Sequence, residues 1–281
     1  MNESHEKHER HERHERESLP LKPPGGTSYW LVPSIIVFII VLYWSWTGMD
    51  YSIAALFKPG KLTKLIYELT HPDFSPAIRT RVFRDMVVTI QTAFLGTLLA
   101  VIVTFPLSFF AAFNVTGQGT AGRMVYFIFR TLFSLLRAIP SLIVAIYFVS
   151  VFGIGPFAGA LALAFHSIGQ LGKLFAESIE QVEKGPIEAI TALGGNKPKV
   201  VWFAILPQVY PHLIAYSIFT WDINIRMSMV IGLVGAGGIG LFIQEHMGLF
   251  QFEQVSTALI AILIVVLAFD LFSGWVRKKI I

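Results

Sequence analysis

The chain reads as an all-α, polytopic membrane protein with about six transmembrane helices. Three observations predict this. Hydrophobic residues make up 54% of its 281 residues at a mean hydropathy of +0.63, more than a soluble domain of this size needs to fill a core. Long uncharged runs recur along the chain, and lysine and arginine collect in the segments between them. There is no cysteine, which removes disulfides, thiolate metal sites and cysteine nucleophiles. A formal charge of +4 in such a chain reports topology and contact with anionic lipid rather than nucleic acid.

Residues 1–27 form a low-complexity tail, HEKHERHERHERE, with His5, His8, His11 and His14 at three-residue spacing. With no apolar face to bury, it reads as a disordered cytoplasmic segment, metal binding being the alternative. Residues 28–48 form the first transmembrane helix. Ser28 to Thr47 is uncharged and flanked by Tyr29, Trp30, Tyr43, Trp44 and Trp46, and twenty helical residues cover roughly the 30 Å of a bilayer core. Residues 49–85 form an extracytoplasmic loop in which Lys61 to Arg84 mixes basic and apolar residues, as a short interfacial helix would.

From residue 86 to 279 the runs come closer together. Met86 to Val115 is the second span, with Pro106 as its kink. Ala138 to Leu171 holds only His166 as a titratable residue and is broken by Gly153, Gly155 and Pro156, the signature of a turn between two antiparallel helices. Each half is short of a full crossing, so the helices should extend through Arg137 and Arg130 on one side and Lys173 and Glu177 on the other. Val200 to Trp221 is the fifth span. A polar interruption, Asp222 to Arg226, then leads to the glycine-rich IGLVGAGGIG, and Val255 to Val276 is the last span. With both termini in the cytoplasm, the basic residues of the tail, Arg123, Lys173, Lys184, Lys197, Lys199 and Arg277 to Lys279 share one side. Lys58 to Arg84 opposes that orientation.

The cytoplasmic stretch EAITALGGNKPKVVWFAILPQ begins at Glu188. Gly185 and Pro186 open a short helix and Gly194 with Gly195 close it, giving a helix over 186–195 that is marginal in isolation. Ile187, Ile190 and Leu193 recur at three-residue spacing and need a surface to cover them. That surface is either a groove on another protein or the chain's own spans.

Glu188, Ala189, Gly194, Leu206 and Pro207 resemble the EAA loop of binding-protein-dependent ABC importer permeases, with Ile190 in place of the second alanine and Ala204 where isoleucine is usual. FRTLFSLLRAIPS, GIGPFAGALALAFHSIGQLGKLFAESIE and NIRMSMVIGLVGAGGIG resemble the phosphonate and phosphite permease group in particular, Ser141 departing from the glutamate usual there. The resemblance implies a type I, MetI-like permease fold and a permease subunit for phosphonate, phosphite or a related phosphorus oxyanion in a bacterial inner membrane. It also implies a second copy of the chain, two ATPase subunits that bind ATP and Mg, and an extracytoplasmic solute-binding protein, for which the 49–85 loop offers a surface. Glu188, Ala189, Ile190, Leu193 and Gly194 would then form the ATPase contact. The chain itself would be no enzyme and hold no cofactor or metal, in keeping with the absence of G-x-x-x-x-G-K-[ST]. A secondary transporter or channel for a small anion is the alternative.

Arg137 and Arg226 are candidates for the anion's route, because guanidinium matches phosphorus oxyanions in a bidentate way. Asp222 and Arg226, four apart, could instead neutralise each other. Gly235, Gly237 and Gly240 satisfy the dinucleotide fingerprint but lie in an apolar run rather than a βαβ unit. The run, with Gly238, reads as close helix packing or a gate. His166 is a satisfied interior histidine or a contact on the pathway.

Overall fold

The computed structural model describes residues 31–47, 61–117 and 119–280. The tail of residues 1–27 with its four histidines, residues 28–30 and the loop over 48–60 lie outside the described residues. The chain divides into two compact units, residues 1–62 and 63–281. In the first, α1 spans Leu31–Thr47, apolar throughout.

Helix α2 (Lys61–Thr70) stands where the sequence suggested a short helix within the 49–85 segment, and α3 (Pro76–Phe110) begins inside that segment. Pro76 explains why α3 begins ten residues before the uncharged run does: proline at the first helical position fixes φ and has no N–H to leave unpaired. Asp73 accepts the Ser75 N–H at 2.8 Å in the same turn. A short α4 (Phe113–Thr116) leads to α5 (Gly119–Ala138), α6 (Ser141–Phe152) and α7 (Pro156–Glu180).

The predicted turn at Gly153 to Pro156 is present, with Gly153 at φ 87° and α6 packed on α7. The helix that precedes it does not run on through Arg137, however. It breaks at Ile139 and Pro140, and α5 and α6 meet at 83°, because Pro140 lacks an N–H and disfavours α conformation in the residue before it. Extension on the other side does occur: α7 continues through Lys173 and Glu177.

Helix α8 spans Lys184–Ala192 and α9 spans Lys197–Val200. A π-helical stretch, Val201–Ile205, precedes α10 (Leu206–Ile231), and a second, Gly232–Ala236, precedes α11 (Gly238–Gly248). The predicted polar interruption at Asp222 to Arg226 is absent, and both residues sit inside an unbroken α10. Helix propensity survives there because their charges pair along one face, Arg226 Nη2 lying 2.5 Å from Asp222 Oδ2. Helix α12 (Phe252–Ile280) closes the chain.

Each of the six predicted spans falls on a helix. Among the described residues, Pro76–Phe110, Lys197–Ala236 and Phe252–Lys279 are individually long and apolar enough to cross a membrane, and the bent α5–α6 pair passes the same test together. At the centre of the second unit, α7 buries Leu163, Leu171, Phe175 and Ile179 against α3, α5 and α10. Small residues allow the approach: a Cβ on Gly96 would lie 2.8 Å from that of Leu163. Asn224 of α10 donates to Thr97 of α3 at 2.9 Å and to Ser167 of α7 at 2.8 Å, fixing all three helices in a buried polar knot.

Candidate functional site

Contacts along α3 and α7 define two ends of the second unit. At one end, Glu180 accepts the Phe113 N–H at 2.8 Å and Arg130 Nη2 at 2.7 Å, and Asn114 reaches the Ile179 carbonyl. This end carries α8. The other end joins the Gly153–Pro156 turn to the glycine run, where the Gly155 N–H donates to the Gly235 carbonyl at 3.0 Å.

Helix α8 stands where the short polar helix was expected, two residues earlier than the predicted 186–195. It ends at Ala192 because Gly194 takes a left-handed φ of 76°, and the Gly195 N–H then caps the Ile190 carbonyl at 2.9 Å. The apolar stripe splits. Ile187 packs with Val182, Val200 and Val201 against the core of Leu171, Phe175 and Ile205, and Ile190 is half-buried. Leu193 is 89% exposed, with Glu188 and Ala189 exposed beside it. The chain's own spans therefore cover half of the stripe, leaving a leucine, an alanine and a carboxylate on the outer surface.

The proposed route residues separate into three places. Arg226 is held by Asp222, with Asp270 of α12 more loosely placed at 3.9 Å, so one of its nitrogens is committed to the neutralising pair. Arg137 and His166 both lie by the α5–α6 break. His166 Nδ1 lies 3.4 Å from the Ile139 carbonyl, which the break frees from helical bonding. The glycine run packs on the opposite turn: a Cβ on Gly237 would lie 3.0 Å from Pro156, and one on Gly238 would lie 2.4 Å from Thr89 Oγ1. Thr89 Oγ1 in turn accepts the Ile239 N–H at 2.9 Å, capping the start of α11. Gly235 and Gly237 have φ of 96° and 80°, so the run is a break between two helices, with no strand before it among the described residues.

Three features were missed in the sequence. Thr97, Ser167 and Asn224 look like ordinary polar residues in apolar helices, and only tertiary structure brings them together. The Arg130–Glu177–Glu180 cluster was signalled by three charges beside apolar runs. At the far end, Arg81 pairs with Asp85 and Glu245, Arg84 with Asp85, and Lys64 with Glu68.

Membrane-length helices around a small-residue core, with one amphipathic helix held at the tip and exposed on its outer side, define a multi-pass transport component. The chain belongs to the family of binding-protein-dependent transport system inner membrane components, which residues 104–281 match. It is thus the permease component of an ABC importer, a transport subunit and not an enzyme. It is similar to the phosphite transport system permease protein PtxC of Stutzerimonas stutzeri, 37% identical over 256 residues that cover 90% of this chain and 91% of that protein. The phosphate-import permease protein PhnE of Mycolicibacterium smegmatis is 34% identical over 210 residues, covering 75% of this chain and 38% of that protein. Among solved structures, an inward-facing MetNI methionine ABC transporter matches with a TM-score of 0.66 at 20% identity, covering 74% of this chain and 100% of that one. That likeness shows a shared fold, of the MetI-like type.

Proposed function

We propose that the chain forms the translocation pathway for phosphite, phosphonate or a related phosphorus oxyanion, as two copies served by two ATPase subunits and an extracytoplasmic solute-binding protein. ATP and Mg are bound by the ATPase and none by this chain. The cargo class rests on the names of the relatives. The coupling role rests on one observation: α8 hides Ile187 against the chain's own spans yet presents Glu188, Ala189 and Leu193 outward. A surface leucine on a short helix, braced from behind, fits a partner's groove.

Orientation is argued from the two ends. Lys184, Lys197 and Lys199 stand on and beside α8, and Arg277 to Lys279 end α12, whose start is tied at the far end by the Asp73 N–H to the Glu253 carbonyl. The α8 end is therefore the cytoplasmic one, and with it the carboxy terminus; the amino terminus lies on the same side. Arg137, Arg226, His166 and the run containing Gly235, Gly237 and Gly238 serve the pathway or its gate, the glycines as an irregular backbone segment beside the turn at Pro156.

Deleting the gene and measuring growth on phosphonate, phosphite or phosphate as sole phosphorus source tests the cargo, and indifference to all three refutes it. Co-purification tests the coupling. Glu188→Arg and Gly194→Trp should each abolish association with the ATPase, and unchanged association removes α8 from that contact. The mass of the purified complex reads directly whether two copies of this chain are present.

A further inference from the structure

Beside α8 the ends of α7 and α10 form an open cleft of about 290 Å³ lined by Ser178, Gln181, Glu183, Gln208, His212 and Tyr216 among others, with Gln181, Glu183 and His212 exposed at its mouth. Water occupies roughly 30 Å³ per molecule in the liquid, so the space admits a small oxyanion with part of its hydration. The Ser178 hydroxyl is spent on the Leu174 carbonyl, and Gln208 bridges the Ala204 carbonyl and the Glu183 N–H. Those two side chains build the wall. The side chains of Gln181, His212 and Tyr216 make no hydrogen bond to the described residues and leave amide, imidazole and phenol donors available in the cleft.

The same face of α10 leads elsewhere. His212 stands about one turn and Arg226 about five turns along from Gln208, which returns both to one stripe of the helix. Arg226 is 43% exposed, and a guanidinium that open inside a membrane span faces water or protein rather than lipid. Between these two positions Ala215 and Asp222 are buried, so the polar chamber opens separately, at the α8 end.

We infer that this chamber is an exit subsite for the transported oxyanion, with His212, Tyr216 and Gln181 as its donors; the inference rests on the cargo class proposed above. It holds the anion weakly, because Glu183 contributes a carboxylate to the same lining. It is also mechanically tied to coupling. Glu183 is the residue that enters α8 and its N–H is strapped to Gln208 at 3.0 Å, so a displacement of α8 reshapes the chamber.

An exit site is reached from inside. The complete complex in proteoliposomes should take up phosphite more slowly when phosphite is loaded in the lumen that corresponds to the cytoplasm. Loss of one hydrogen bond to a charged group should raise the luminal concentration giving half inhibition by about tenfold in Tyr216→Phe, His212→Ala or Gln181→Leu, with ATPase association unchanged. Tyr216→Phe removes only a hydroxyl, and it decides the matter where a larger change disturbs folding. Wild-type uptake indifferent to luminal phosphite, or variants inhibited at the wild-type concentration, overturns the exit site. Wild-type vesicles that take up no phosphorus oxyanion overturn the cargo reading instead.

Discussion

Gly194 offers a quantitative test of how α8 is held. Its φ is 76°, and a Cβ built there would meet nothing within 4 Å, so the whole cost of a side chain is conformational. For an alanine in the left-handed region that cost is about 1–2 kcal/mol, and asparagine, which visits this region readily, suffers less. A helix of nine residues has little reserve against such a cost. Gly194→Ala should therefore shift the local folded–unfolded balance of α8 by about tenfold, given 1.4 kcal/mol per decade, while Gly194→Asn should sit near wild type. Hydrogen exchange of residues 184–196 in the assembled complex reads the first effect, and phosphite-dependent ATPase activity reads its consequence. Equal exchange and equal activity in the two variants would refute the argument, since the two residues differ mainly in their tolerance of positive φ.

Other sites give predictions of different kinds. A Cβ on Gly240 would lie 2.1 Å from the Met229 carbonyl and 2.7 Å from Gly232 Cα; Gly240→Ala should destabilise the protein by about 1–3 kcal/mol, seen as a lowered Tm in detergent. Asn224→Leu deprives Ser167 of its bonds to α10 and should cost about 1–3 kcal/mol, read in the same melt against Asn224→Gln. Asp73 is held below the usual carboxylate range chiefly by the Ser75 N–H. With a depressed folded-state pKa, its contribution is present above about pH 4, the unfolded value, and is lost as pH falls through the lower folded value. Protection of the Ser75 amide, its exchange taken relative to the intrinsic rate at each pH, should fall on acidification below about pH 4 in the wild type and be already lost at neutral pH in Asp73→Ala; a pH-independent difference would contradict this.

The apolar helices were legible in the sequence because hydropathy is a property of composition, and the Gly153–Pro156 turn because glycine and proline act locally. Bends and continuations were not. Whether a helix stops at a charge depends on what the charge meets, and Arg226 finds Asp222 one turn away and Asp270 on another helix, so α10 runs on. A proline is equally ambiguous, its effect being set by the packing around it: Pro106 stays inside α3, whereas Pro140 begins a new helix at 83°. The stripe on α8 was read correctly as apolar, yet its division between Ile187 inside and Leu193 outside is set by where the chain re-enters at Val200. The chamber at His212 had no sequence signal, being assembled from the ends of two separate helices, α7 and α10, on either side of α8.

Arg226 is both counter-charge and candidate route, and a single substitution confounds the two roles. Asp222 is 3% exposed, and removing the partner of a buried charge costs about 3–5 kcal/mol. Arg226→Gln should therefore slow uptake even if the guanidinium never touches cargo, simply by leaving Asp222 uncompensated. Asp222→Asn in the same chain removes that penalty. If Arg226 only neutralises, the double variant should return to wild-type uptake; if it also attracts the oxyanion, assembly and Tm should recover while uptake stays slow. The geometry favours the second outcome. Nη2 is committed to Asp222, but Nη1 is 3.9 Å from Asp270, which is itself 60% exposed, too loose a contact to satisfy a guanidinium donor. A double variant with full uptake would remove Arg226 from the route and leave Arg137 as the remaining arginine proposed for it.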